Sequence, residues 1–158
     1  MNVLYLIHRY PPARGGSERF IQEIARRLAA EGGQAVVYTS DVLNMEGFWR
    51  RGIRRLPTGR QDDAGVSVYR FAAKVLPLHR VTSRLPGLIP WDPVGMTLAP
   101  PGLVLPGLWR AVRAAAEANV DLVHATAYPN LMYLGAVVAR RAGARLVLMP
   151  CLHVGPGE

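Results

Sequence analysis

The chain has 158 residues, half of them hydrophobic and 19% charged, which predicts one domain with a buried core rather than a disordered tail. No apolar run approaches the roughly 20 residues that a membrane-spanning helix needs, and the first residues lack the apolar core of a secretion signal. Cys151 has no second cysteine to pair with, which excludes an internal disulfide framework. We therefore expect a soluble, cytoplasmic domain.

The charge of the chain is strongly positive, with 19 basic and 11 acidic residues and a formal net charge of +8. Such a surplus attracts anionic lipid headgroups, phosphorylated small molecules or nucleic acid. Few aromatic residues interleave with the basic ones, so we expect no nucleic-acid partner. The densest cluster is either a solvated loop or an anion-attracting surface; it comprises Arg50, Arg51, Arg54, Arg55 and Arg60.

The first 40 residues predict a strand, a helix and a second strand. Residues 3–7 form an apolar run that is typical of a strand buried on both faces of a parallel sheet. After a loop rich in proline and glycine, Ser17 is a candidate cap for a helix. The second strand covers residues 35–38, so a right-handed parallel crossover is expected. The predicted apolar stripe of the helix consists of Phe20, Ile24, Ala25 and Leu28.

The middle of the chain is less regular. Residues 42–65 show no clear periodicity, whereas residues 65–71 alternate as a third strand does. Seven of the thirteen prolines lie between Pro77 and Pro106, which excludes long helices and central strands there. We expect a mobile excursion over about residues 42–106 at the functional edge of the sheet.

Regular elements return after Pro106. They are a helix over 108–119, a strand over 120–125, a helix over 131–141 and a strand over 145–149. The alternation of strands and helices predicts an α/β fold with a doubly wound, mostly parallel Rossmann-like sheet. Residues 150–158 then resemble a loop that leaves a strand, so we expect a fragment of a longer protein that lacks a carboxyl-terminal domain.

Ligands of open parallel sheets bind beyond the carboxyl ends of the strands. That rule selects the loops 8–17, 39–44, 124–130 and 150–157. Each histidine in them is either a packed structural residue or part of a site, and their wide separation predicts no metal site. The polar residues that these loops contribute are His8, Arg9, Arg14, Asp41, His124, Thr126, Tyr128, Asn130 and His153.

Gly15, Gly16 and Ser17 precede a helix, where unpaired N–H groups and the helix dipole favour an anion such as a diphosphate. The same glycines also suit a tight turn with no ligand, and both interpretations remain open. The chain has neither the P-loop nor the G-x-G-x-x-G motif. Asp41, at the end of the second strand, lies where a ribose-binding carboxylate is expected, so a nicotinamide-dependent oxidoreductase domain remains one possible function.

Three segments resemble one known family. They are residues 6–19, with Pro11-Pro12-Ala13-Arg14-Gly15-Gly16-Ser17-Glu18, residues 120–125 with the helix after them, and the strand that ends at Met149-Pro150. Together they resemble the amino-terminal domain of retaining glycosyltransferases of the glycogen-synthase and sucrose-synthase-like class, family four, with the GT-B fold.

The resemblance implies the acceptor-binding half of a two-lobed enzyme that moves a sugar from a nucleotide-sugar donor. It places Gly15, Gly16 and Ser17 beside the donor diphosphate and His124 in the catalytic cleft, with no metal ion and no cofactor. Thr126 stands where many relatives have a second histidine. The acceptor-binding candidates are Arg9, Arg14, Thr126, Tyr128, Asn130 and His153.

Two further expectations accompany the resemblance. The arginine cluster and the proline-broken segment suit a lipid-linked acceptor and peripheral contact with the inner membrane surface. The fragment alone is expected to be inactive, because most donor contacts would lie in the other lobe. The competing interpretation is a non-catalytic module of the same fold that binds a glycan or a nucleotide.

Overall fold

The computed structural model describes residues 1–48, 50, 52–75, 103–117, 119–126 and 130–150. Within these residues three helices surround a six-stranded sheet, and a two-stranded pair lies apart from it. The strands are β1 (Asn2–Leu6), β2 (Gln34–Ser40), β3 (Gly59–Asp63), β4 (Val66–Phe71), β5 (Lys74–Val75), β6 (Leu103–Val104), β7 (Leu122–Thr126) and β8 (Arg145–Met149), and the helices are α1 (Gly16–Ala30), α2 (Pro106–Glu117) and α3 (Asn130–Ala142).

The strand order in the main sheet is β3-β4-β2-β1-β7-β8. Five of these strands run parallel, and β3 joins the edge antiparallel to β4. Strand β1 lies at the centre, where Leu4 is paired with Val36 of β2 on one side and Val123 of β7 on the other. This is the doubly wound, mostly parallel sheet that the alternation of elements predicts.

The two faces of the sheet bury separate hydrophobic clusters, as alternating side chains along parallel strands require. Helix α1 packs on the face that contains Val3, Tyr5 and Val37. Helices α2 and α3 pack on the opposite face, which contains Leu4, Leu6 and Val123. Each of these helices buries apolar residues at the three- and four-residue spacing of one helix face: Leu108, Val112 and Ala115 in α2, and Leu131, Leu134 and Val138 in α3.

The predicted stripe of α1 needs a correction. Phe20 is 49% exposed, whereas its neighbour Ile21 is fully buried with Ala25. The core-facing stripe is therefore rotated by one residue, and Ile24 and Leu28 lie at its partly buried margin. The bulk of a phenylalanine suggests a core position, but the register of the helix on the sheet decides which residues face inward. The helix ends before Gly32, whose positive φ of 82° suits glycine.

The excursion contains more regular structure than the sequence indicates. Residues 42–65, which show no clear periodicity in the sequence, contain β3 (Gly59–Asp63) and a short 3₁₀ turn at Met45–Phe48. Residues 76–102, which include six of the seven prolines of that region, lie outside the described residues. In the part of the chain that is described, no helix is long and apolar enough to cross a bilayer.

Candidate active site

The sheet changes direction of winding between β1 and β7. The chain leaves β1 through α1 on one face, and it leaves β7 through α3 on the other face. Because the helices that follow these neighbouring strands lie on opposite faces, the carboxyl ends of β1 and β7 mark the winding reversal, and doubly wound sheets bind ligands in the crevice at such a point. The loop from Ile7 to Gly15 leaves β1 at this edge.

Helix α1 begins at this edge with an open glycine turn, which comprises Gly15, Gly16 and Ser17. Gly15 and Gly16 are exposed, and a Cβ built on Gly16 would meet no atom within 4 Å. Within the described part of the chain, the N–H groups of Gly16 and Ser17 make no hydrogen bond. Among the described residues nothing therefore covers Gly16 at the positive end of this 15-residue helix, as an anion site requires.

The Glu18 side chain provides a separate, structural reason for a glycine at position 15. Its side chain turns back over the start of α1, and a Cβ on Gly15 would come within 2.7 Å of the Glu18 carboxyl carbon. One carboxylate oxygen of Glu18 lies 2.5 Å from Arg9 Nη2, and the other accepts a hydrogen bond from Ser17 Oγ at 2.9 Å. Only Gly16 therefore has the open surroundings that both glycines were expected to share.

Two sequence predictions change with this arrangement. Ser17 is not the cap of α1, because the helix begins one residue earlier, at Gly16, and Gly15 is the capping residue. Arg9 is buried with Glu18, at 8% and 4% exposure. Its charge is balanced within the domain itself. Arg14, by contrast, is exposed directly beside the glycine turn.

His124 lies on the α1 face of β7, beside Tyr5 of β1. The two rings are 5.7 Å apart, and the histidine is only 7% exposed. Its Nε2 atom is buried and has no hydrogen-bond partner among the described residues. Burial lowers the pKa of His124, so the imidazole is neutral at pH 7.

Thr126 is the last residue of β7 and is buried, and its Oγ1 donates a hydrogen bond to the carbonyl of Leu6 at 3.3 Å. This bond ties the ends of β1 and β7 together at the crevice. Asn130 is the first residue of α3. Tyr128 and His153, the remaining predicted acceptor contacts, lie outside the described residues.

Asp41 serves the framework of the domain. Its Oδ1 accepts hydrogen bonds from Arg55 Nη1 at 3.2 Å and from the N–H of Ala73 at 3.0 Å. Arg55 also donates to the carbonyl of Gly47 at 2.7 Å. Asp41 is thus buried in a network that holds the segment after β2, and the geometry lends no support to a ribose-binding role.

Sequence reasoning missed a second network, in which Asp63 and Arg70 contact the loop after β1. Both residues belong to the β3–β4 hairpin. The missed partner in the loop is Tyr10, which is 1% exposed. The residue that could have pointed to this network is Tyr10 itself, a large aromatic residue next to Pro11-Pro12. The hydroxyl of a tyrosine that is buried in a loop usually has a hydrogen-bond partner. Among the described residues, no three histidine, cysteine, aspartate or glutamate side chains lie close enough to hold a metal ion.

The fold and the site together define a Rossmann-like α/β domain. The N-terminus of its first helix suits an anion and lies at the point where the sheet reverses its winding. The family model of the glycosyl transferase 4-like domain matches residues 15–157, and the chain belongs to this family. The match confirms the resemblance at the level of a family-four-like glycosyltransferase domain and makes the protein a glycosyltransferase by family. No curated protein matches the chain.

Proposed function

We propose that this domain is the acceptor-binding half of a retaining glycosyltransferase with two facing lobes, the GT-B arrangement. In this proposal the enzyme moves a sugar from a nucleotide-sugar donor to an acceptor, and a second lobe supplies most donor contacts. The observation that carries the proposal is the open glycine turn, whose unpaired N–H groups lie at the winding reversal of the sheet.

The chemistry of the leaving group explains why this turn suits the reaction. When the bond between the sugar and the diphosphate breaks, negative charge grows on the departing phosphate oxygen. Two backbone N–H groups and the positive end of α1 stabilise that charge without any rearrangement. Because Gly16 has no side chain, a phosphate can approach the backbone closely. The proposal includes no metal ion and no cofactor, since the helix terminus and Arg14 supply positive charge.

The predicted acceptor-binding residues fall into two groups according to their surroundings. Arg14 is exposed beside the turn and Asn130 begins α3, so we assign them direct contact with the acceptor, together with Tyr128 and His153. Arg9 and Thr126 are buried and bonded within the domain, so in this proposal they hold the walls of the crevice. His124 keeps its proposed place near the transferred sugar.

We also propose a cytoplasmic enzyme that touches the inner membrane surface to reach a lipid-linked acceptor. Arg50 and Arg54 are exposed in the basic cluster, which supports attraction to anionic headgroups. Sedimentation of the full-length protein with vesicles measures this attraction. Binding to vesicles with anionic lipid and not to neutral vesicles is expected; equal binding to both would remove the charge argument.

A donor screen tests the central proposal. The full-length protein is incubated with UDP-, GDP- and ADP-sugars and a panel of acceptors, and release of each nucleoside diphosphate is measured. One nucleotide should be released in an acceptor-dependent manner, and residues 1–158 alone should release none. Absence of release from every donor would contradict the proposal, and turnover by residues 1–158 alone would contradict the two-lobed division of contacts.

One observation favours a second candidate, a non-catalytic module that binds a glycan or a nucleotide. The buried Nε2 of His124 has no partner among the described residues and is shielded from solvent, which does not favour a direct chemical role. This candidate predicts saturable binding of a nucleotide sugar by the full-length protein, measured by calorimetry, with no release of nucleoside diphosphate over hours.

A further inference from the structure

The loop after β1 is held by the β3–β4 hairpin, which lies at the edge of the sheet. Asp63, at the end of β3, accepts a hydrogen bond from the hydroxyl of Tyr10 at 2.8 Å. The same carboxylate accepts bonds from Gln22 Nε2 at 2.9 Å and from Arg26 Nε at 3.3 Å, and it forms an ion pair with Arg26. One carboxylate thus joins the loop to the middle of α1.

Arg70 of β4 holds the same loop by its backbone. Its guanidinium donates to the carbonyl of Tyr10 at 3.4 Å and to the carbonyl of Pro11, while Nε donates to Gln61 Oε1 at 3.1 Å. Arg70 is only 4% exposed, and in the described part of the chain it forms no ion pair. Burial of an unpaired charge is costly, so these bonds must offset the loss of hydration.

The loop that receives these bonds leads directly into the open glycine turn. The Tyr10 carbonyl accepts from the N–H of Ala13 at 3.2 Å as well as from Arg70, so this oxygen fixes the tight turn over residues 10–13. Only Arg14 and Gly15 then separate Ala13 from Gly16. Among the described residues no side chain packs where a Cβ of Gly16 would lie, so its orientation depends on the backbone on either side: the bond from the Arg19 N–H to the Gly15 carbonyl at 3.2 Å and the loop before the turn.

We infer that Asp63 and Arg70 are positioning residues, which fix the loop over residues 10–13 and so set the direction of the N–H groups in the open glycine turn. The inference rests on the proposed function only where it concerns the donor diphosphate that those groups would meet. Neither side chain is assigned a contact with substrate.

The first test is spectroscopic and needs no activity. The ¹H–¹⁵N signals of Gly15 and Gly16 are compared in Arg70→Ala, in Asp63→Asn and in Tyr10→Phe, which removes a single hydroxyl and preserves the buried ring. All three variants should shift both glycine signals, and Arg70→Lys should restore part of the shift. Arg60→Ala is the matched control, because Arg60 lies on the same hairpin but bonds only Ser67 and the Tyr69 ring.

The second test uses initial rates of the full-length protein. Misdirected N–H groups should lower kcat about tenfold in Arg70→Ala, with the acceptor KM unchanged, since the loss concerns the departing diphosphate. A purely structural role would lower the amount of folded protein and leave kcat per folded molecule unchanged.

The outcomes of the two tests separate the inference from the proposed function. Unshifted Gly15 and Gly16 signals in folded Arg70→Ala and Tyr10→Phe would overturn the inference, whatever the enzyme does. A wild-type protein without transferase activity would contradict the proposed function, while the glycine signals would still decide the inference.

Discussion

Substitution of the two glycines at the start of α1 by alanine should have different effects on stability. In Gly15→Ala the new methyl group comes within 2.7 Å of the Glu18 carboxyl carbon, so the carboxylate must shift from the position in which it contacts Arg9. Loss of one partner of a buried ion pair costs about 3–5 kcal/mol. Because Glu18 can turn toward solvent, we expect the free energy of unfolding to fall by about 2–4 kcal/mol. For a chain of this length the melting temperature would fall by about 4–16 °C.

Gly16→Ala is the matched control, because its methyl group meets no atom within 4 Å. Alanine in place of glycine in a helix stabilises by up to about 1 kcal/mol, so this variant should be as stable as the wild type or slightly more stable. Urea and thermal unfolding at pH 7, followed by circular dichroism, measure both changes.

A double substitution tests the reason for the effect. In a Glu18→Ala background the carboxylate is absent, so adding Gly15→Ala should cost less than about 0.5 kcal/mol. The reasoning is refuted if Gly15→Ala unfolds at the wild-type midpoint, or if its cost is the same with and without the Glu18 side chain.

Three further changes have expected outcomes. Gly135→Ala would place a methyl group 2.6 Å from Ala125 Cβ, and this overpacking should destabilise by about 1–3 kcal/mol in urea unfolding; a gain in stability would contradict the close packing of α3 on β7. Burial, with Arg9 nearby, lowers the pKa of His8 to about 4. Protons then bind the unfolded chain more tightly, so stability should be fully present above pH 6.5 and fall between pH 6.5 and 4; a His8→Gln variant with the same slope would contradict this. Asp41→Asn should lower stability by about 1–3 kcal/mol through Arg55 and Ala73 and leave donor choice unchanged; loss of donor use by folded protein would restore a ligand role for Asp41.

The parallel strands and the three helices of the described residues could be predicted from the sequence, because each contains a continuous or periodic set of apolar residues. Strand β1 and the stripe that contains Leu108 and Val112 are examples. Strand β3 could not be found in this way. Its residues, Gly59 to Asp63, are polar and mostly exposed, and it pairs with β4 at the edge of the sheet. An edge strand made of polar residues leaves no hydrophobic pattern.

The site was predictable in position but not in its inner contacts. The rule for parallel sheets selects the loop after β1, and the glycine turn follows from Gly15 and Gly16. The partners of Arg9 and Thr126 depend on side-chain directions across the crevice, which residue type alone does not fix. The hydrogen bonds from Arg70 to the loop join residues about 60 positions apart in the sequence, so they form only when the complete sheet is assembled.

The central claim is that the space in front of Gly16 receives the donor diphosphate, and the most direct measurement of it is the rate of sugar transfer by full-length Gly16→Ala. Its methyl group would enter that space and, among the described residues, would meet no atom within 4 Å. We predict a fall in kcat of about 10- to 100-fold with an unchanged unfolding midpoint. Transfer at the wild-type rate by this folded variant would contradict the claim.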